Sequence, residues 1–285
     1  MPEKPRTDSS LAALRGEIDK IDETMHELLM QRGEIIDRLI AVKRTQETGS
    51  AFRPAREAEM MRRLADRHHG ILPLDTAESI WRVIISTFTY VQAPFSIHAD
   101  LTGSSAAMRD SARFHFGFTV PFVPHMSAAG VVAAVSESRG DLGLVEALGG
   151  SGAWWTSLEF DSAPKIIARL PFIDRADHPA AMPVFVISRV AAEAMVPDIE
   201  VWSLRVSGWS QEAARAATRL ADVIAVPDSA YDGAALLVSV PQAFGIAKVT
   251  DALVKAGVSV RSSALVGSHA TRYTLPGARP APAGR

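Results

Sequence analysis

The chain contains no cysteine, which excludes disulfide frameworks, thiolate metal sites and cysteine nucleophiles, and agrees with a reducing compartment. It also lacks basic runs and carries a net charge of -2, so the electrostatic footprint of a nucleic-acid binder is missing. Its apolar runs, such as Val83, Ile84 and Ile85, fall far short of the roughly 18 residues needed to cross a bilayer. The polar start over residues 1–10 holds no secretory apolar segment. These absences read as a cytoplasmic protein with neither membrane nor nucleic acid as partner. What is present is ordinary globular material, 47% apolar and 22% charged over 285 residues, enough for two or three small domains.

Over residues 10–44, Leu14, Ile18, Ile21, Met25, Leu28, Leu29, Ile35, Ile36, Leu39 and Val42 recur at three- and four-residue steps with no proline. That spacing predicts one long amphipathic helix. A second helix is expected from Pro54, a residue tolerated in a first turn, to about His68. A third starts near Asp75 or Thr76 and is ended by Pro94. A helix of about 35 residues spans roughly 50 Å, and two short partners cannot cover its apolar side along that length. A second copy of the chain is the expected cover.

Several polar residues sit where apolar ones are expected. Lys43 lies eleven residues after Arg32, about three turns plus ~20°, so the two cations share one face. Ile36 and Leu39 lie between them on that face. Glu57 has Met60, Met61 and Leu64 on its own side, and Gln92 follows Trp81, Ile85 and Phe88 at helical spacing. Two cations, a carboxylate and an amide on converging apolar faces suit a small dianion with a neutral polar centre. Pairing of Glu57 with Arg32 or Lys43 as bundle charges is the alternative left open by these residues alone. Arg15 lies off the stripe and about 42 Å from Lys43, too far to serve one ligand in one chain. In an antiparallel dimer crossing near Met25, Arg15 would stand opposite residue 35 of the other copy.

The run LAALRGEIDKIDETMHELLMQRGEIIDRLIAVK from Leu11, then FRPAREAEMMRRL from Phe52, then the helix ending in Gln92, resembles the all-helical (type II) chorismate mutases. The resemblance includes the mutase domain of bifunctional chorismate mutase/prephenate dehydratase enzymes. It implies an all-α, three-helix mutase domain over 10–95, working as an intertwined homodimer, with chorismate rearranged to prephenate and no cofactor or metal. By resemblance, Arg15 of the partner chain and Arg32 hold the two carboxylates. Lys43 and Gln92 then reach the ether oxygen, and Glu57 the ring hydroxyl. Arg53, before the Arg56-Glu57 pair, and Phe88 stand where the mutase-dehydratase fusions carry aspartate and serine.

Beyond residue 95 the pattern turns to α/β. Residues 100–195 faintly resemble one lobe of prephenate dehydratases through GSSAAMRDSARFHF from Gly103 and AAVSESRGDLGLVEALGG from Ala133. That family needs a second lobe and a Thr-Arg-Phe motif on the returning strand. Here Pro183, Val184 and Phe185 occupy that place, while Thr271, Arg272 and Tyr273 mimic the motif beyond the last helix. The expectation is a mutase without dehydratase activity, the bifunctional enzyme being the alternative. A further alternative is a helical dimerisation module of an amino-acid-sensing regulator. Residues 199–275 repeat a β-α-β pattern, predicting a ferredoxin-like βαββαβ module. The run ALLVSVPQAFGIAKVTDALVKAGVSVRSSALVG from Ala235 resembles the start of an ACT domain, which implies an aromatic amino acid as effector, a dimerising unit with no ligand being the alternative. The Pro- and Gly-rich tail 276–285 reads as disordered. His68 and His69 read as helix-end residues, and Trp154 and Trp155 as packing aromatics.

Overall fold

The computed structural model describes residues 6–43, 51–147, 152–189, 198–228 and 233–275. The expected disordered tail lies outside them. The chain divides into two compact units, residues 1–48 and 49–285, so the division falls inside the 10–95 segment.

Helix α1 (Arg6–Lys43) forms the first unit. Strong helix formers and the absence of proline sustain it over 38 residues, about 57 Å. Its apolar stripe is open: Leu11, Leu14, Ile18, Ile21, Met25 and Leu28 are each about half exposed.

The second unit starts with α2 (Pro54–Arg67), led in by Pro54, and α3 (Leu74–Gln92). Extended Ala93 and the following Pro94 end α3, because the residue before a proline is driven out of helical geometry. Then come β1 (Ile97–Asp100), α4 (Ser105–Phe116), β2 (Phe122–His125), α5 (Ala128–Glu137) and β3 (Leu142–Glu146). A short 3-10 turn at Trp154–Leu158 leads to β4 (Lys165–Leu170), β5 (Ile173–Asp174) and β6 (Val184–Ser188). The remainder is β7 (Ile199–Ser207), α6 (Gln211–Thr218), β8 (Asp222–Asp228), β9 (Gly233–Pro241), α7 (Gly245–Lys255), β10 (Ser259–His269) and β11 (Tyr273–Thr274).

Nine strands make one sheet in the order β2-β1-β3-β6-β4-β10-β7-β9-β8. β1 pairs in parallel with β2 and β3, as expected where helices form the crossovers. The four strands β10-β7-β9-β8 are antiparallel neighbours connected through α6 and α7. A single bridge, Gly267 with Ile166, joins β10 to β4. A β-carbon on Gly267 would meet the Ile166 carbonyl oxygen at 2.2 Å, and its φ is +152°, so only glycine closes this seam. One apolar core, with Met61, Ile85, Phe95, Met108 and Phe116, lies beneath α2, α3 and α4. A second, with Val131, Val135, Trp155 and Phe185, lies under α5, and a third under α6 and α7.

Helix α3 differs from the sequence expectation. Its buried residues are Ala77, Glu78, Arg82, Ile85, Ser86 and Thr89, whereas Ile80, Val83 and Val91 are exposed and Trp81, Phe88 and Gln92 only partly covered. The charged stripe points inward because each charge finds a partner there, which removes the penalty of burying it.

Candidate functional site

Arg15, Arg32 and Lys43 all lie on α1. Arg15 is exposed and Arg32 half-buried, and Lys43 closes the helix, its side chain outside the described set. Glu57 and Gln92 belong to the second unit.

Glu57 sits in the first turn of α2 and is buried. Its Oε2 accepts a 2.7 Å hydrogen bond from Nη1 of Arg82, a completely buried side chain on α3. The other arm of Arg82, Nη2, donates to the His115 carbonyl of α4 at 3.1 Å, and its guanidinium lies 5.0 Å from the Phe172 ring centroid. Burial pushes the Glu57 carboxyl above the usual carboxylate range, against the opposing pull of Arg82 and of the Arg53 backbone. Arg82 was not singled out in the sequence. Its signal was a lone cation within the apolar stretch from Ile80 to Ile85.

Gln92 turns its Nε2 back to the Phe88 carbonyl at 2.9 Å. Arg82 and Gln92 are ten residues apart on α3, about 15 Å, so the structure does not bring Glu57 beside Gln92. Arg53 precedes α2, Arg56 is exposed on its first turn, and Phe88 is partly exposed.

In the α/β part, a cavity of about 320 Å³ opens between the loop after β1 and the start of α5, lined by Thr102, Ser127, Ala128, Trp154, Thr156 and Ser157. It lies beyond the carboxyl ends of parallel strands, where open α/β sheets hold ligands. Ser127 caps α5 by accepting from the Gly130 amide at 3.0 Å. On the strands beside it, His98 bonds Asp141 at 3.1 Å and His125 at 2.9 Å, a chain that sequence reading did not pick out. Burial, then the neighbouring His98, pushes His125 below the usual histidine range. Thr271, Arg272 and Tyr273 lead into the small β11-β5 sheet: Arg272 bonds Asp174 at 2.9 Å and the Tyr273 hydroxyl donates to Asp66. Among the described residues there is no cluster of three or more metal-ligating side chains, and no helix is long and apolar enough to cross a membrane.

Residues 14–93 match the family described as Chorismate mutase type II. This span contains Arg15, Arg32, Lys43, Glu57 and Gln92, so the chain carries a chorismate-mutase-type segment. A bifunctional chorismate mutase/prephenate dehydratase of Neisseria gonorrhoeae is 31% identical over 110 residues, 39% of this chain and 29% of that protein. Another of the same name, from Aquifex aeolicus, is 27% identical over 139 residues, 47% of this chain and 38% of that protein. The chain thus spans about a third of the length of these curated relatives. Among solved structures, prephenate dehydratase from Streptococcus mutans aligns with a TM-score of 0.37 and 13% identity, over 64% of this chain and all of that one. A structure titled "GqqA- a novel type of quorum quenching acylases" aligns at 0.42 and 15%, over 62% of this chain and 95% of that one. Neither likeness bears on chemistry.

Proposed function

We propose that this chain is a chorismate mutase joined to a prephenate-dehydratase-like part and works as the bifunctional kind of enzyme. The observation that carries the first activity is the family match over 14–93, which takes in all five candidate site residues. The second activity is favoured over a stand-alone mutase by the curated relatives, both named as bifunctional enzymes. It replaces the expectation, drawn from the missing second lobe, of a chain without dehydratase activity.

The mutase site is assembled from two copies. The half-exposed apolar stripe of α1 is unstable in water and is covered by the same stripe of a second chain. An antiparallel crossing near Met25 brings Arg15 of one copy between Arg32 and Lys43 of the other. The two arginines hold the carboxylates of chorismate so that its side chain lies over the ring. In the rearrangement the ether C–O bond breaks as a C–C bond forms across the ring, with no atom gained or lost. Negative charge grows on the ether oxygen, and Lys43 donates to it there; Gln92, folded back on the Phe88 carbonyl and set away from Glu57, has to move to add a second donor. Glu57 receives the ring hydroxyl. The β7–β10 region is read as a ferredoxin-like, ACT-like module that binds phenylalanine or tyrosine.

Two assays on purified full-length chain test this. Loss of chorismate absorbance reports the mutase, and phenylpyruvate formed from added prephenate, with release of water and carbon dioxide, reports the dehydratase. Absence of the first sinks the whole reading, and absence of the second alone returns the chain to a single-function mutase. Calorimetry with each aromatic amino acid tests the effector, and no heat with no change in rate removes it.

A further inference from the structure

Helix α3 is fastened to the α/β part by charged side chains spaced three and four residues apart on one face. Asp75 bonds Arg175, Glu78 bonds His178 at 3.2 Å, and Arg82 bonds Glu57 and the His115 carbonyl. Arg82 differs from the other two because it touches a residue of the candidate mutase site. Its guanidinium is a planar fork whose arms have fixed directions. With one arm on Glu57 Oε2 and the other on the last turn of α4, and with Phe172 beneath it, the fork sets where the Glu57 carboxylate stands relative to α4.

We infer that Arg82 is a positioning residue for the mutase reaction, and that through its bond to the His115 carbonyl the α/β part helps fix the substrate-binding carboxylate of Glu57. This rests on the reading of Glu57 as the group that receives the ring hydroxyl. The consequence is a mutase segment that needs its fused partner for full affinity. A lysine in place of Arg82 keeps the charge but is a point donor on a flexible stem, unable to span both acceptors in the same geometry.

The test uses full-length chains: wild type, R82K, E57Q and the R82K/E57Q double variant, with chorismate as substrate and a thermal melt on each. An interaction with the substrate made equally in ground and transition states appears in KM. R82K is therefore expected to raise KM about tenfold with kcat changed far less. Because Arg82 acts through Glu57, the double variant is expected to be no worse than E57Q alone. Losses that multiply in the double variant, or a folded R82K with wild-type KM, overturn the inference. Should R82K fail to fold, F172L removes the ring under the guanidinium and is expected to raise KM severalfold in the wild-type background and not in E57Q. An unchanged KM in F172L, or a rise of the same size in both backgrounds, overturns it. A wild-type chain without mutase activity overturns the functional reading itself, which an active wild type with multiplying losses leaves standing.

Discussion

Glu78 on α3 and His178 in the loop after β5 stand 3.2 Å apart with both side chains completely buried. The His178 Nδ1 accepts from the Ala180 amide at 3.0 Å, so the hydrogen of a neutral ring is on Nε2, facing Glu78. This bond ties the third helix of the mutase-type segment to a loop one hundred residues away. Replacing His178 with alanine leaves a buried carboxylate without its donor, a loss of about 1 to 3 kcal/mol. Urea denaturation of H178A is expected to show a lower midpoint with an unchanged slope, whereas an unchanged midpoint would mean the contact contributes nothing.

Acid should weaken the α/β part through two buried histidines. Burial pushes His269 down to about 4, and burial, with Arg82 and His178 next, pushes His115 well below its usual range. Both folded pKa values are depressed, so the unfolded chain binds more protons between roughly pH 4 and 6.5 and stability falls as pH is lowered through that window. For His269 the full effect is on the order of 3 kcal/mol. Melts at pH 7.5, 5.5 and 4.5 should show a descending Tm, with a flatter descent in H269N. An equal slope in H269N would remove His269 from the account.

The helices were legible because each repeats apolar residues at helical spacing, and α2 carries proline at its start. The facing of α3 was not, since Asp75, Glu78, Arg82, Ser86 and Thr89 repeat at the same spacing as Trp81, Ile85, Phe88 and Gln92. Hydropathy assigns the second set inward, while the partners that draw the first set inward, Arg175 and His178, are distant in sequence. The five candidate site residues could be read from spacing and resemblance. Their mutual geometry could not, because Arg82 meets Glu57 and the His115 carbonyl only once α2, α3 and α4 are packed. The sheet seam was equally hidden, as its one bridge joins Ile166 to a glycine inside an otherwise ordinary strand.

Lys43 is the donor expected to meet the charge that develops on the breaking ether bond. A donor of that kind is worth about 3 to 4 kcal/mol of barrier. K43A should therefore lose at least two orders of magnitude in kcat with a much smaller change in KM. Near-normal turnover would mean another group supplies the hydrogen bond.

The proposed two-copy site makes a prediction that a site within one chain does not. If Arg15 acts on the substrate held by the other copy's Arg32, then R15A and R32A homodimers are each missing one arginine in both sites. Unfolding and refolding an equal mixture produces heterodimers as half of the population. In each heterodimer one site draws its Arg15 from the R32A chain and its Arg32 from the R15A chain, and is whole. The other site has lost both. About a quarter of wild-type activity should therefore return on mixing two nearly inactive proteins. Were Arg15 to serve its own chain, every site in the mixture would still be missing one arginine and no activity would return. Repeating the mixture with M25D in both chains places a carboxylate pair at the proposed crossing of the two α1 helices, on the half-exposed apolar stripe. Sedimentation should then show monomers and the recovered activity should vanish. Recovery that survives M25D would place the contact between copies elsewhere on the chain.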